Sequence, residues 1–474
     1  MSVITSPTFD PKTYAQGLAN DYVGPTKASL DKQTAQATAV STALTTLNSA
    51  LGAFQTALQG LASSTTSVTA TKATFSNSAI ATATAKSSAT AGTYAFYVEQ
   101  LATAGQVTYN VADSAAAGAG SMNVMLADGS SFQVDLASAD SDKDGVLSAK
   151  EVAASINAAA NNNSRVTAST MTINGSTQLV LSSNNTGASN AVASIDTSGL
   201  GSASLATALG NQTTLTTAKD AVIWAGGKNG TRIQQASNTF SVVDGVSFTI
   251  TQAQSATDPA VTLTVGADTS GTASNVQKFV DAYNTLMGVI QTLTAAGDHS
   301  LAPSTDPTAT PAPTSQDAAL HGDAGLASLK DRLNALLRGV SGGQSLISYG
   351  ISATKDGTLT IDSGRLTKAL AANPDGLDNL FGRAGIGVDS GVLGAMNKLT
   401  NAWTTSAGGF IMQRTTQNDQ LQSDLSDRMA ALQSRFQSAY NRYLAQFTAL
   451  QTLQASMTNT SNMFTAMFSP DSSS

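Results

Sequence analysis

The chain of 474 residues contains no cysteine, which excludes disulfide bonds, thiolate metal sites and thiol nucleophiles. This absence over such a length fits an exported protein, with chance as the alternative explanation. Charged residues make up only 12% of the chain, and the formal net charge is −7. No lysine or arginine cluster stands out, so nucleic-acid binding, which needs a basic surface, is not expected.

Long apolar runs are also missing. No run approaches the roughly 18 residues that span a membrane, so the sequence predicts no transmembrane segment. The start of the chain lacks a basic stretch followed by an apolar core, so no cleaved signal peptide is evident. If the protein leaves the cell, we expect a route that reads no such signal.

Side chains suited to catalysis are scarce. The two histidines, His299 and His321, border a proline-rich segment, and no Ser-His-Asp pattern, P-loop or histidine metal cluster is evident. Residues 226–230 are glycine-rich and could hold an anion, but a plain turn is the simpler interpretation. The sequence therefore predicts no catalytic residue, no required cofactor and no enzymatic activity.

The chain instead carries one apolar stripe near each end. The members of each stripe are spaced by three or four residues, which places them on one face of a helix, the face that a coiled coil buries. The stripes are Val40, Leu44, Leu47, Leu51, Phe54, Leu58 and Leu61 near the N-terminus, and Leu432, Phe436, Tyr440, Tyr443, Phe447, Leu450, Leu453 and Met457 near the C-terminus. We predict that the two ends meet as a stalk and that these residues form an assembly interface with further copies of the chain. The alternative is an ordinary antiparallel helix pair inside one stable monomer.

Between the stripes the apolar period changes from 3.6 to 2, which predicts strands. Asp244-Gly245 lies between two alternating segments and predicts a β-hairpin. The predicted strands cover residues 93–98, 132–136, 179–181, 240–243, 246–250 and 261–265.

Helical spacing flanks this region on both sides. On the N-terminal side we predict a short helix that Gly24-Pro25 ends, and then a longer one over residues 26–61. After the strands we predict a helix from Val276, a proline-rich linker, a helix over 326–337, a strand over 358–361, a short helix ending near 373–374, a glycine-rich stretch to Gly409 and a long terminal helix.

The predicted fold class is α+β multidomain, with terminal helices that form a coiled-coil stalk or legs and with inserted β-rich head domains. We place terminal helical legs, disordered in the monomer, at 1–40 and 440–474. The helical stalk domain covers 41–70 and 273–439, including the proline-rich linker 302–316. A β-rich head domain covers 71–110 and 221–272, and an outer head domain covers 111–220.

Twelve residues of the outer head match the calcium-binding loop of EF-hands. The keyed residues are carboxylates at Asp140, Asp142 and Asp144, the sharp turn at Gly145, the carbonyl of Val146, Ser148 directly or through water, and a bidentate Glu151. The preceding segment 132–136 looks like a strand, so this is a lone loop for a structural calcium ion. The alternative is a polar turn that only mimics the motif.

The chain resembles the flagellar filament cap family, hook-associated protein 2, over most of its length. The resemblance includes residues 153–157 and 166–168, which are similar to a small repeat shared with flagellins. The other matching segments are 98–102, 279–284, 320–323, 349–351, 356–362, 366, 369–370, 373–374 and 380–381. The opening segment 9–30 and the prolines at 303–313 depart from the family pattern.

This resemblance implies a homo-oligomeric cap at the distal tip of the bacterial flagellar filament. Such a cap retains exported flagellin and promotes its polymerisation, and the two stripes would then also contact the filament. The implied partners are flagellin, hook–filament junction proteins and a type III export chaperone, and the implied location is secreted, at the filament tip. The alternative function is a surface adhesin that binds host glycan or mucin through the head domains.

Overall fold

The computed structural model divides the chain into a helical unit and a β-rich unit. The helical unit comprises Met1–Ser64 and Val276–Ser474, and the β-rich unit comprises Thr65–Asn275. The predicted α+β class with terminal helices is therefore confirmed. The structure describes residues 10–111, 115–116, 120–297, 317–341 and 343–468. His299 and the prolines of the predicted linker lie outside these residues.

The first helix, α1 (Pro11–Leu61), is continuous, so the predicted stop at Gly24-Pro25 is wrong. Asp10 caps its start by accepting hydrogen bonds from the amides of Lys12 and Thr13. A proline inside a helix costs about 3 kcal/mol. Val23 and Leu30, on either side of Pro25, are buried against the C-terminal helix, and each such burial contributes about 1.5–3 kcal/mol. Packing therefore outweighs the local signal.

The β-rich unit follows α1 and consists mainly of short strands, with one helix after β8 and another after β11. In chain order they are β1 (Ala70–Phe75), β2 (Ala81–Ala85), β3 (Gly92–Gln100), β4 (Gln106–Tyr109), β5 (Ala115–Ala116), β6 (Ser121–Leu126), β7 (Ser131–Asp135), β8 (Val146–Leu147), α2 (Ala149–Ala158), β9 (Val166–Ile173), β10 (Ser176–Ser183), β11 (Val192–Asp196), α3 (Ala203–Gly210), β12 (Gln212–Thr216), β13 (Ala221–Ala225), β14 (Thr231–Gln235), β15 (Thr239–Val243), β16 (Val246–Ile250) and β17 (Val261–Asp268).

One part of this unit is built from the first and last strands. Its sheets have the orders β1-β17-β3-β13-β14 and β15-β16-β2. Ala70 of β1 lies opposite Asp268 of β17, so the insertion leaves and returns on adjacent antiparallel strands, as predicted. The predicted hairpin at Asp244-Gly245 joins β15 to β16. In the core between these sheets the ring of Phe248 stacks on that of Phe240 and meets that of Phe96 at a tilt.

The other part of the unit has a core of its own. Its sheets have the orders β12-β4-β10-β9 and β11-β6-β7, and α2 and α3 cover them. Val124, Phe132, Leu147, Ile156 and Leu179 are among its buried residues. This core also includes Val107 and Tyr109 of β4, which lie just before the predicted boundary between the head domains at residue 110, and the boundary itself stays a prediction.

The remaining elements complete the helical unit. They are α4 (Thr269–Thr294), α5 (Ala324–Leu337), β18 (Val340–Ser341), β19 (Gln344–Ser345), β20 (Ile351–Ala353), β21 (Leu359–Ile361), α6 (Ser363–Ala372), α7 (Pro374–Phe381), α8 (Gly391–Thr404) and α9 (Phe410–Phe468). The predicted glycine-rich stretch to Gly409 thus contains two helices, α7 and α8, and Leu393 and Met396 of α8 are fully buried. None of the described helices is both long and apolar enough to cross a bilayer.

Candidate assembly surface and acidic loop

The N-terminal stripe is buried within the helical unit. Leu44, Leu47, Leu51, Phe54, Leu58 and Leu61 are at most 6% exposed, and Val40 is half-buried. The ring of Phe54 meets Tyr283 of α4 edge-on at 6.3 Å, and Gln55 donates to Thr404 of α8 at 3.1 Å. In this conformation helices of the same chain cover the stripe, so it forms core instead of the predicted interface.

The N-terminal half of α1 runs antiparallel to α9. Val23, Leu30 and Ala37 of α1 form a buried cluster with Leu425 and Leu432 of α9. The side-chain amide of Asn418 donates to the carbonyl of Ala37 at 2.9 Å, and the rings of Tyr14 and Phe447 lie 5.9 Å apart. Alanines at 15 and 19 are also fully buried. Small and aliphatic side chains thus let the two helices pack closely.

The C-terminal stripe changes from buried to exposed along α9. Leu432 is 6% exposed, Phe436, Tyr440, Tyr443 and Phe447 are half-buried, and Leu450, Leu453 and Met457 are 44%, 57% and 64% exposed. All side chains over 451–467 are exposed. Because Tyr14, near the start of α1, lies opposite Phe447, the last 18 or so residues of α9 extend past α1 by roughly 27 Å.

This extension carries more apolar side chains than the predicted stripe contains. Phe464 and Met467 continue the stripe beyond Met457, at steps of seven and three residues, and Met463 lies beside them; all three are exposed. Thr460 interrupts the apolar spacing, so steps of three and four residues do not predict them. A heptad register extended through Thr460 would have found Phe464 and Met467.

A groove of about 580 Å³ lies in the helical unit beside the α1–α9 pair. Its lining includes the side chains of Val40, Leu44 and Leu421 together with several amides. At the edge of the groove the guanidinium of Arg414 forms an ion pair with the carboxylate of Asp323 at 2.8 Å. The same guanidinium lies over the ring of Trp403, 5.4 Å from the ring centre. Of the predicted interface residues near the N-terminus, Val40 alone is not fully buried, and it faces this groove.

The acidic loop brings three of its predicted ligands together. One carboxylate oxygen from each of Asp140, Asp142 and Asp144 lies within 4.8 Å of the others. Asp140 Oδ2 accepts from the amide of Gly145 at 3.1 Å, and Asp144 Oδ1 accepts from the amide of Val146 at 2.8 Å. Gly145 has a φ of +82°, so glycine supplies the left-handed turn that the motif requires.

The remaining predicted ligands lie on β8 and at the start of α2. Ser148 and Glu151 form a reciprocal capping box, and Val146 lies on β8. The Glu151 carboxylate accepts from the backbone amides and hydroxyls of Ser148 and Ser141 at 2.7–3.0 Å, and these hydrogen bonds lower the pKa of Glu151 to about 2. Glu151 is not among the carboxylates that converge within 4.8 Å, and its oxygens are engaged by these two serines.

The neighbouring carboxylates of the loop shift the pKa of Asp142. A hydrogen bond from the Asp144 amide lowers the pKa of Asp142, but desolvation and repulsion from Asp144, Glu151 and Asp140 outweigh it. The pKa of Asp142 is therefore raised above its ordinary value. The loop carries four carboxylates against two lysines, Lys143 and Lys150, and therefore keeps a net negative charge.

Comparison with known proteins places the chain among flagellar proteins. The family model "Flagellar hook-associated protein 2 C-terminus" matches residues 218–459, and the corresponding N-terminus model matches 8–105. The acidic loop falls outside both ranges. The chain is 32% identical to the B-type flagellar hook-associated protein 2 of Pseudomonas aeruginosa over 91% of this chain and 89% of that protein.

Two further matches agree with this placement. The chain is 32% identical to the lateral flagellar hook-associated protein 2 of Vibrio parahaemolyticus over 71% of each chain. Its fold is similar to that of the flagellar cap protein FliD D1-D2-D3 domains from Escherichia coli, with a TM-score of 0.58 and 24% identity. That match covers 81% of this chain and 99% of the other.

Proposed function

This chain belongs to the flagellar hook-associated protein 2 family, and on that premise we propose that it is a subunit of the cap at the distal end of the flagellar filament. There it would retain exported flagellin and promote its polymerisation. The solved relative from Escherichia coli is described as a flagellar cap protein, and its three domains match the fold of this chain.

The observation that carries the proposal is the uncovered end of α9. Leu450, Leu453, Met457, Phe464 and Met467 present apolar surface that the described part of the same chain leaves exposed. A single helix with no tertiary packing is marginal in water, so this segment needs a partner to become stable. Further copies of the chain and the end of the filament would provide that partner.

An interface completed in this way suits a cap that must move as each flagellin subunit is added. Segments that fold on binding lose part of the interaction free energy to ordering, which keeps their affinity modest for the area they bury. The sequence predicts terminal legs, 1–40 and 440–474, that are disordered in the free monomer. Val23 and Leu30 pack against Leu432 of the same chain, so we expect this disorder only at the exposed end of α9, beyond about residue 450. Strong hydrogen-exchange protection of Leu453 and Met457 in the monomer would contradict this expectation.

The remaining partners follow from the same proposal. We expect the protein to be secreted through the flagellar type III apparatus with the help of an export chaperone, and to reach the filament tip past the hook–filament junction proteins. We expect the cap to be homo-oligomeric. Electron microscopy of the purified assembly would give its copy number, and a monomer at high protein concentration would contradict self-association.

The decisive experiment is complementation of a strain that lacks this gene. The variant Leu453→Asn/Met457→Asn places polar side chains on the exposed stripe, and Thr452→Asn/Ala455→Asn places the same side chains on the opposite face. Both pairs introduce two asparagines into α9, so their costs in helix propensity are similar. Comparable amounts of secreted protein must be confirmed for both variants.

We expect the stripe variant to release unpolymerised flagellin into the medium and to carry short filaments, while the control variant restores full filaments. Full-length filaments in the stripe variant would overturn the assembly role of this surface. Full-length filaments in the deletion strain itself would overturn the cap function and would be the outcome expected for an adhesin.

A further inference from the structure

The aspartate cluster of the outer head shows the donor chemistry of a hard cation site. Asp140, Asp142 and Asp144 converge within 4.8 Å, although three carboxylates at that spacing repel one another. Within the part of the chain that the structure describes, no lysine or arginine forms an ion pair with any of them. Carboxylate oxygens in this number are the ligands that Ca²⁺ prefers.

A second and independent observation concerns a single oxygen atom. Asp140 Oδ1 is shielded from solvent and accepts no hydrogen bond, and Ser183 Oγ is the other described side-chain atom in that state. Its sister atom Oδ2 is satisfied by the amide of Gly145. A shielded carboxylate oxygen without a hydrogen bond has lost its interaction with water, and a cation beside it would replace that interaction.

The surrounding fold holds the loop at both ends. Val146 and Leu147 of β8 pair antiparallel with β5, and Leu147 is fully buried in the outer core. The loop is entered from β7 and followed directly by α2, whose capping box fixes Ser148 and Glu151. The strand pair β5–β8 therefore supports a loop that pairs with no second EF-hand among the described residues.

We propose that residues 140–151 bind one Ca²⁺ ion through the carboxylates of Asp140, Asp142 and Asp144 and the carbonyl of Val146. Asp140 contributes its unpaired Oδ1. Water completes the six to eight oxygens that Ca²⁺ takes, partly through Ser148. Glu151 acts as a positioning residue, because its four hydrogen bonds hold the two ends of the loop together.

This arrangement sets the expected affinity. A site with one carboxylate fewer than a full EF-hand, and with no paired loop, belongs with extracellular modules that bind Ca²⁺ at about 10⁻⁴–10⁻³ M. At 10 mM CaCl₂ and a Kd of about 1 mM, binding shifts the unfolding equilibrium of the outer head roughly tenfold. The ion would stiffen a loop at the outer head, independently of the assembly surface on α9.

The test is hydrogen exchange of the full chain, followed by mass spectrometry of peptides that cover 137–152, in 10 mM CaCl₂ and in chelator. We expect exchange there to slow roughly tenfold with calcium. Asp140→Asn should abolish the response while keeping the oxygen that accepts from Gly145. Asp258→Asn, which removes the same charge from a turn of the other head sheet, should respond as the wild type does.

Asp142→Asn provides a second loop variant, because this exposed side chain accepts only one long hydrogen bond, at 3.3 Å, and its loss should leave the fold intact. Equal exchange with and without calcium in the wild type would overturn the proposal. So would a full calcium response in both loop variants. An equal response to 10 mM MgCl₂ would overturn the assignment to calcium.

Discussion

A matched pair of leucine substitutions on α9 tests the division between its buried and exposed parts. Leu432 is 6% exposed and packs with Val23 and Leu30 of α1. Leu453 lies 21 residues, or three heptads, further along the same stripe and is 57% exposed. Residue type, helix and stripe are therefore the same, and only the covering by α1 differs.

The expected magnitudes follow from this difference. Replacing a buried leucine with alanine costs about 2–5 kcal/mol, depending on how far the surroundings relax into the space. The α1–α9 seam is a narrow cluster between two helices, so we expect the low end, about 2–3 kcal/mol, for Leu432→Ala. For Leu453→Ala we expect a change within about 0.5 kcal/mol, because the site is exposed and alanine favours helix.

Urea unfolding can separate these outcomes. The chain has two tryptophans, Trp224 on β13 and Trp403 on α8, so a Trp224→Phe background leaves Trp403 as a reporter of the helical unit. With an m-value of about 2 kcal/mol/M, Leu432→Ala should lower the midpoint by about 1 M. Far-UV circular dichroism should report the same shift, and both signals should be recorded at two protein concentrations.

The reverse order is expected for assembly. Leu453→Ala should weaken self-association, measured by sedimentation, although it leaves the monomer unchanged. Equal destabilisation by both variants at low protein concentration would show that the single chain covers the end of α9, and it would refute the reasoning. No effect of Leu432→Ala would show that the seam contributes nothing to the stability of the helical unit.

Two further substitutions probe the helical unit. Burial raises the pKa of Tyr283 to about 12, so the stability that the protonated phenol contributes is present below pH 10 and is lost as pH rises through 12. Tyr283→Phe should remove this alkaline loss of up to about 2–3 kcal/mol, measured by unfolding at a series of pH values. An unchanged dependence of stability on pH would contradict this expectation. Arg414→Gln removes the ion pair with Asp323 and the contact with Trp403, and it should lower the free energy of unfolding in urea by about 1–3 kcal/mol. Arg414→Lys should recover only part of this stability, because lysine keeps the charge but not the planar guanidinium. Full recovery would contradict a role for the stacking on Trp403.

Periodicity was sufficient to predict most of the fold. The change from helical to alternating spacing near Thr65, and back near Val276, coincides with the two units because each period follows from how that backbone presents its side chains to a core. The hairpin at Asp244-Gly245 was equally local, since the turn residues themselves set its geometry. The acidic loop was recognisable for the same reason: its keyed residues lie within twelve positions.

The errors arose where distant packing overrides a local signal. Pro25 predicts the end of a helix, yet α1 continues because Val23 and Leu30 are buried against α9, some 400 residues later in the chain. The sequence predicts a loop at the start of α8, because this segment contains glycines. A Cβ on Gly391, at a φ of +59°, would approach the backbone of Gly382 to 2.7 Å, so the glycine permits close packing of the helix start against the preceding segment.

The same limit explains why the sequence could not tell a core stripe from an assembly stripe. Apolar residues spaced by three or four positions predict that one face of a helix is buried, but they do not indicate whether the same chain or another chain buries it. α4 and α8 contact Phe54 and Gln55 of this stripe, whereas Leu453 has no counterpart among the described residues, since α1 begins at Pro11 and α9 runs on to Phe468. The proposed assembly surface thus depends on where two paired helices end, and a pattern within either helix does not contain that information.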